Sequence, residues 1–392
     1  MKMNYKVSHP TKIVNCEINL PSSKSISNRL LIIRALCKKK FEIKNLSTSD
    51  DTQNLAKALH SNKKKINVNH AGTSFRFLTS YLAIQENKEY ILTGSKRIKE
   101  RPIKELVSCL RKIGAEIDYI DNKNLPPLKI KGGKIKGGKI EINGNISSQF
   151  ITSILLIAPT LEDGIELKIK EHLVSRSYIE MTLELMKEFG VRSNWKNNTI
   201  LIDPQDYIIK NYKVESDWSA ASFWMQIAAL SKDCNIHLND LQKDSIQGDR
   251  NCAKIFNNLG VDIKYKKNKV ILTKNQEISN PKTYNLIENP DLYQPLACTL
   301  FAKELQSKFL GIQTLKNKET DRKLAVDIEL KKLKSKNIIN TYEDHRMAMS
   351  FAPLCLSLGE IQINNIEVVS KSYTNFWDDL KKGGFKISPL AD

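Results

Sequence analysis

Leu110-Arg-Lys-Ile-Gly114-Ala-Glu-Ile117 closes one amphipathic stretch and opens an alternating one, and the same punctuation returns along the chain. Leucine and isoleucine three apart suit the apolar face of a helix. Glycine suits the left-handed stop after its last turn, and the residues that follow alternate as a half-buried strand does. Copies stand at Leu185-Met-Lys-Glu-Phe-Gly190-Val191, Phe256-Asn-Asn-Leu-Gly260-Val-Asp-Ile263 and Leu380-Lys-Lys-Gly-Gly-Phe-Lys-Ile387. Weaker ones, with lysine or asparagine near the stop, lie at 55–66 and 330–339. Six copies spaced by about 50–75 residues predict six α/β units, three per domain on an even split.

At 392 residues the chain is too long for one compact core, so two domains are expected. The crossings between them are placed at 16–21 and 214–218, which assigns the N-terminal strand to the C-terminal half. This gives a discontinuous first domain, 1–19 plus 217–392, and a second domain, 20–216. Hydrophobic content of 41% and charged content of 27% are those of an ordinary globular protein. No apolar run approaches the roughly 20 residues that span a bilayer, and Met1-Lys-Met-Asn-Tyr-Lys6 lacks a signal-peptide core. Seven scattered cysteines form no CxxC pair, which excludes a zinc ribbon or disulfide framework. A cytoplasmic protein is expected.

The net charge of +19 admits nucleic acid, an anionic membrane or an acidic small substrate. Lysines outnumber arginines 51 to 11, and runs such as Lys38-Lys39-Lys40 and Lys63-Lys64-Lys65 lack the interleaved aromatics of a single-strand groove. They read as solvated faces. The scarce arginines carry more information: Arg29, Arg76, Arg101, Arg176, Arg322 and Arg346 fall inside short polar motifs, where a planar fork suits phosphate or carboxylate.

Pro21-Ser-Ser-Lys-Ser-Ile-Ser-Asn-Arg29 is the first of these motifs. Ile26, Leu30 and Ile33 make it the first turn of an amphipathic helix, with Lys24 just outside and Ser25 and Arg29 on one face. Helix starts leave N–H groups unpaired and favour anions. His70-Ala-Gly-Thr-Ser-Phe-Arg76 reads as a turn feeding a helix from Phe77, with Gly72 open to close backbone approach. Lys99-Glu-Arg-Pro102 places Arg101 at an exposed end. Ser147-Ser-Gln-Phe150 and Ser175-Arg-Ser-Tyr178 offer hydroxyl and amide groups at two further helix starts. The C-terminal half adds acids: Asp291 in Asn289-Pro-Asp-Leu292, Glu319 in Lys318-Glu-Thr-Asp-Arg322, then Glu343-Asp-His-Arg-Met347 and Lys371-Ser-Tyr373. Each motif alone is an ordinary cap or ion pair. Together they describe a site where cations repel unless an anionic ligand neutralises them, with Asp291, Glu319 and His345 as candidates for proton transfer. No HExxH, P-loop or GxGxxG beside a strand is present, so metal, nucleotide and dinucleotide chemistry lack support.

In this order the motifs resemble the family of 5-enolpyruvylshikimate-3-phosphate synthases, or 3-phosphoshikimate 1-carboxyvinyltransferases, from Asn19 to Lys371. The resemblance implies an α/β fold of two inside-out α/β barrel domains, three βαβαββ units in each, with the active site in the cleft between them. It implies transfer of the carboxyvinyl group of phosphoenolpyruvate to the 5-hydroxyl of shikimate 3-phosphate by addition and elimination. No cofactor, metal, nucleic acid or membrane is implied, and a monomer is expected. Carried over by motif, Lys24, Ser25, Arg29, Ser147, Ser148, Gln149, Ser175, Tyr178, Asp291 and Lys318 would hold shikimate 3-phosphate. Lys24, Gly72, Arg101, Gln149, Arg322, Arg346 and Lys371 would hold phosphoenolpyruvate. Asp291 would act on the 5-hydroxyl; Glu319, with Lys24 and His345, would move the proton of the methylene carbon. Glyphosate is expected to compete with phosphoenolpyruvate, with Gly72 leaving it room.

Ser22, His70, Tyr373 and Thr374 depart from the family pattern of glycine, asparagine, phenylalanine and proline, and Thr314 stands near the place of an asparagine. None removes a charged group. The related UDP-N-acetylglucosamine enolpyruvyl transferases open with Lys-Asn and use a loop cysteine; here Ser25 follows Lys24 and no cysteine lies near 97–102. A basic RNA-binding protein, the alternative of a different class, leaves Asp291 and Glu319 among the arginines unexplained.

Overall fold

The predicted helix–glycine–strand punctuation holds at its four strong copies, one in each four-stranded sheet. The weaker stretches 55–66 and 330–339 mark no repeats of their own, since they lead into Lys65–Asn67 and Ile338–Ile339, which lie in the same sheets as Glu116–Tyr119 and Lys386–Pro389. In a computed structural model describing residues 3–390, Gly114, Gly190, Gly260 and Gly384 all have positive φ, between +83° and +107°, just past the ends of helices. The chain divides into two compact units, a continuous one, Lys24–Val214, and a discontinuous one, Met1–Ser23 with Glu215–Asp392. The sequence placed the divisions after Asn19 and Ser216. The shift has a local cause: Ser22 bridges Ser216, Ser23 N–H donates to Glu215 O (2.9 Å) and Asp217 N–H to Pro21 O (2.9 Å), so 20–23 stay with 215–217.

One sheet pattern recurs. In the continuous unit, Lys65–Asn67 pairs parallel with Glu89–Thr93, which pairs antiparallel with Leu128–Lys131, which pairs antiparallel with Glu116–Tyr119. Gly138–Asn143, Ile165–Lys170, Thr199–Ile202 and Asn194–Lys196 repeat it. In the discontinuous unit it returns as Ile13–Asn19, Asp233–Asn239, Lys269–Lys274 and Val261–Lys266. It returns again as Ile338–Ile339, Ile361–Asn364, Asn4–Ser8 and Lys386–Pro389, the N-terminal strand completing the last sheet. Each unit's third repeat is reduced to a parallel pair, Ile43–Lys44 with Tyr212–Lys213 and Thr283–Asn285 with Lys308–Leu310.

The helices are of two kinds. Lys104–Lys112 is amphipathic, burying Leu106, Val107 and Leu110 and leaving its charges outside. Ser148–Ile157 is buried on every side from Phe150 onward, Thr152 and Ser153 included. Gly72–Ala83, Trp218–Leu230, Tyr293–Ala302 and His345–Phe351 are buried likewise, as is the middle of Lys24–Leu36. Strands such as Leu128–Lys131 alternate buried and exposed. Helices thus fill the interior of each unit and the sheets face water, the inside-out arrangement. Among the described residues no helix is long and apolar enough to cross a membrane.

Two local readings change. Gly72-Thr73-Ser74 is not a turn before a helix but its first turn, since the helix spans Gly72–Ala83. Lys24 is likewise the first helical residue rather than a flanking one.

Candidate active site

Polar side chains of the discontinuous unit gather at the starts of its buried helices. Asp291 lies in the turn Pro290–Leu292 that enters Tyr293–Ala302. Its Oδ1 accepts from Lys318 Nζ (2.9 Å) and Arg322 Nη1 (2.9 Å), and its Oδ2 from Arg346 Nη2 (3.3 Å). Arg346 Nη1 also donates to the Asp291 carbonyl (3.0 Å). Glu319 accepts from Arg322 Nη2 (2.8 Å) and pairs with Lys371 Nζ (3.0 Å). Asp344, wholly buried, accepts from Arg322 Nε (2.7 Å) and caps His345–Phe351 through Arg346 N–H (2.9 Å). His345 Nδ1 stands 3.4 Å from Asp344 Oδ1.

Burial alone would raise the pKa of Asp291, but Lys318, Arg346 and Arg322 outweigh it and hold the carboxyl well below the ordinary range. Burial pushes the Lys318 ammonium down, against the pull of Asp291. Burial would also weaken Arg322, yet Asp344, Glu319 and Asp291 raise its pKa above the usual arginine value. These balances correct one expectation. Lys318, Arg322, Arg346 and Lys371 are not a bare repelling set, because Asp291, Glu319 and Asp344 answer them within the same unit.

In the continuous unit, Arg29 is buried on the helix Lys24–Leu36. Its Nε donates to Thr182 Oγ1 (2.8 Å), Nη1 to Ser25 O (2.8 Å) and Nη2 to Tyr178 O (3.0 Å), with Phe77 beside it. Among the described residues no acid pairs with it, and burial lowers its pKa to about 10, with Tyr178 countering slightly. Lys24 Nζ lies 3.5 Å from the buried Asp51. Gly72 opens its helix against two guanidiniums. Arg76 Nη1 donates to its carbonyl (2.7 Å), and a Cβ added at Gly72 would overlap Arg101 Nη1 and come within 2.8 Å of Arg76 Nη1. Arg101 is buried, not at an exposed end as its place before Pro102 suggested; it turns inward against Gly72. Ser147 caps Ser148–Ile157 by accepting from Gln149 N–H (3.3 Å), and Gln149 Nε2 donates to Thr73 Oγ1 (3.1 Å). Ser148 is buried. Ser175 adopts the left-handed region (φ 56°) before Arg176–Glu188, a conformation that costs a non-glycine residue about 1 kcal/mol.

A sequence profile described as EPSP synthase (3-phosphoshikimate 1-carboxyvinyltransferase) matches residues 8–65, 59–337 and 333–380. The chain belongs to this family. A 3-phosphoshikimate 1-carboxyvinyltransferase of Bacteroides fragilis strain YCH46 is 44% identical over 407 aligned positions, covering 98% of this chain and 99% of that protein. The one of Buchnera aphidicola subsp. Cinara cedri is 38% identical, covering 94% of each. A solved EPSP synthase from Acinetobacter baumannii superposes with a TM-score of 0.79 at 21% identity, over 98% of this chain and all of that one. That likeness shows the enolpyruvyl transferase fold. The EPSP synthase family takes precedence over the UDP-N-acetylglucosamine and RNA-binding alternatives.

Among residues proposed from sequence, Asp291, Lys318, Glu319, Arg322, Arg346 and Lys371 share one ion network, with His345 at its edge through Asp344. Arg29, Ser25 and Tyr178 are joined, as are Gly72 and Arg101. Arg176 falls outside: it pairs with Glu180 (2.8 Å) and lies over Trp195 at the surface. Thr314 is buried, and among the described residues its hydroxyl has no hydrogen-bond partner. Sequence reading missed Asp344, although it stands inside the quoted Glu343-Asp-His-Arg, because the neighbouring histidine drew the chemical assignment. It missed Asp51, which lies in the first turn of the helix Asp50–Leu59 that Ser49 caps.

Asp344→Asn keeps the cap acceptor and removes the negative charge that faces Arg322, so urea unfolding should show a loss of about 2 kcal/mol. Asp344→Ala loses both and should cost about 3–5 kcal/mol. An alanine variant as stable as the parent would mean Asp291 and Glu319 suffice to hold Arg322.

Proposed function

We infer that the protein transfers the carboxyvinyl group of phosphoenolpyruvate to the 5-hydroxyl of shikimate 3-phosphate, releasing phosphate. Family membership supports the reaction, and the observation that carries it to particular atoms is the pair Asp291 and Glu319, each in contact with two or more cations. Two anionic substrates need cations; moving one proton off an alcohol and another on and off a carbon needs carboxylates beside them. In the addition, Glu319 in its protonated form gives its proton to the methylene carbon. The 5-oxygen bonds to the adjacent carbon and loses its proton to Asp291. In the elimination, Glu319 takes a proton back from the new methyl as the carbon–oxygen bond to phosphate breaks.

The cations set the strength of these groups. A carboxylate with three cations on it is a weak base, so Asp291 needs some of that charge diverted. Phosphate and carboxylate groups of the substrates, bound by Lys318, Arg322, Arg346 and Lys371, would divert it. Lys24, Gly72, Arg101 and Gln149 would complete the phosphoenolpyruvate contacts. Ser25, Arg29, Ser147, Ser148, Ser175 and Tyr178 would hold shikimate 3-phosphate, the buried Arg29 charge being answered by its anion. The reading includes a cytoplasmic monomer that binds no nucleic acid. Surface lysines support that last point, since many stand in ion pairs, such as Lys139 with Glu166 and Lys131 with Glu116.

A phosphate-release assay with both substrates tests the reaction. Asp291→Asn and Glu319→Gln keep shape and remove a titrating group, so turnover should fall on the order of 10²–10⁴-fold, while calorimetry should still show shikimate 3-phosphate binding to Glu319→Gln. Turnover within a few-fold of the parent in both would remove these roles.

The pH dependence follows from the same balance. Free Asp291 ionises well below the usual range and gains basicity once substrates share its cations. The acid limb of kcat/KM, which reports the free enzyme, should therefore lie at lower pH than that of kcat, which reports the complex. Coincident limbs, or the reverse order, would contradict it.

At Gly72, the structure changes the expected effect of a methyl group. Gly72→Ala should displace the Arg101 guanidinium, so glyphosate resistance should come with a rise in KM for phosphoenolpyruvate on the order of tenfold. Resistance with KM unchanged would mean Arg101 does not touch that substrate.

A further inference from the structure

Behind Asp291 lies a carboxylate that the reaction as described does not use. Asp249 sits on the short turn Gly248–Asn251 and is buried. Its Oδ2 accepts from the Ser219 hydroxyl in the first turn of Trp218–Leu230, the helix capped by Asp217 through Ser219 N–H (2.8 Å). Its Oδ1 accepts from Asn289 Nδ2 (3.4 Å). Asn289 is the residue from which the Asp291 turn is built: its carbonyl accepts from Leu292 N–H (3.0 Å), and its own N–H donates to Leu286 O (3.0 Å). Asn289 is itself buried, so its side chain binds Asp249 rather than water.

We propose that Asp249 is a positioning residue for Asp291, fixing the Asn289–Leu292 turn through Asn289 and setting its negative charge against the cations that grip Asp291. The proposal rests on the reading of Asp291 as the group that takes the 5-hydroxyl proton. Its physical need is plain. Lys318, Arg322 and Arg346 suppress the basicity of Asp291, and a nearby fixed negative charge is the simplest counterweight a protein can place there. The groups facing Asp249 are Asp291 and Asn289 from one turn, Asp217 and Ser219 from the helix start, and Arg346 from His345–Phe351; Cys252 follows on its own segment. Burial first, then the Asp291 charge, push the Asp249 carboxyl up, while Arg346 and the Ser219 hydrogen bond oppose this. Each acid therefore makes the other a better proton acceptor.

Asp249→Asn removes the charge and keeps the shape. In phosphate-release assays with both substrates, kcat should fall about tenfold on its plateau. Its acid limb should move down by about one pH unit, because Asp291 loses a negative neighbour. KM for shikimate 3-phosphate should change less than about threefold. Asp249→Glu, which keeps the charge, should leave the limb in place. A merely structural residue would lower kcat without moving the limb; that result, or parental kinetics in Asp249→Asn, overturns the proposal. If Asp249→Asn does not fold, as judged by thermal unfolding, Asp249→Ser supplies the neutral variant. A parent that releases no phosphate overturns the reaction and this proposal together, whereas an active parent with an unmoved limb overturns this proposal alone.

Discussion

Arg322 spreads one guanidinium over three carboxylates: Nε to Asp344, Nη1 to Asp291 and Nη2 to Glu319. It is almost completely buried, and its charge survives there because the acids outweigh the cost of leaving water. The arrangement fixes the two acids proposed for proton transfer relative to each other through a rigid, planar spacer. Asp344 has no surface at all and anchors that spacer to a helix start, so the orientation of the fork is set by the fold and not by solvent. Remove the anchor and both acids lose their common reference.

The inside-out packing explains why chemistry collects where it does. A helix buried on every side must still satisfy the N–H groups of its first turn, which have no partners within the helix. Hydroxyls and carboxylates supply them: Ser147 for Ser148–Ile157, Asp217 for Trp218–Leu230 and Asp344 for His345–Phe351. The polar residues that cap the interior helices are thereby held in place by backbone hydrogen bonds, and their neighbours Gln149, Ser219 and Arg346 inherit that order. The amphipathic helices do a different job. They cover the interior and end in glycine stops that start the next strand.

This division decides what could be read from sequence. Leu110–Gly114–Ile117 and its copies were legible because period 3.6 gives way to period 2 across a left-handed residue, and all three signals are local. The two-strand remnants at 43–44 and 283–285 were not legible as reduced repeats, since pairing partners lie far along the chain. Among site residues, Lys318, Glu319 and Arg322 could be grouped because three- and four-residue spacings put them together near one helix start. Arg101 was misjudged as exposed, because nothing local says that Gly72 lies against its guanidinium. Asp249 gave no signal either: its partners Ser219 and Asn289 are 30 and 40 residues away.

A chain with 51 lysines and 11 arginines also shows where lysine cannot serve. Lysines suffice on exposed strands, where Lys131 meets Glu116 and Lys139 meets Glu166, and inside the network, where Lys318 meets Asp291 and Lys371 meets Glu319. An ammonium is a compact point charge whose three donors radiate from one atom, without the planar fork that reaches separated acceptors in fixed directions. Arginine stands where one charge must address several fixed acceptors at once: Arg322 three acids, Arg346 both the carboxylate and the carbonyl of Asp291, Arg29 a hydroxyl and two carbonyls. Lysine at any of these three would leave buried acceptors unsatisfied, each costing about 1–3 kcal/mol. At these three positions geometry, and not charge alone, is demanded.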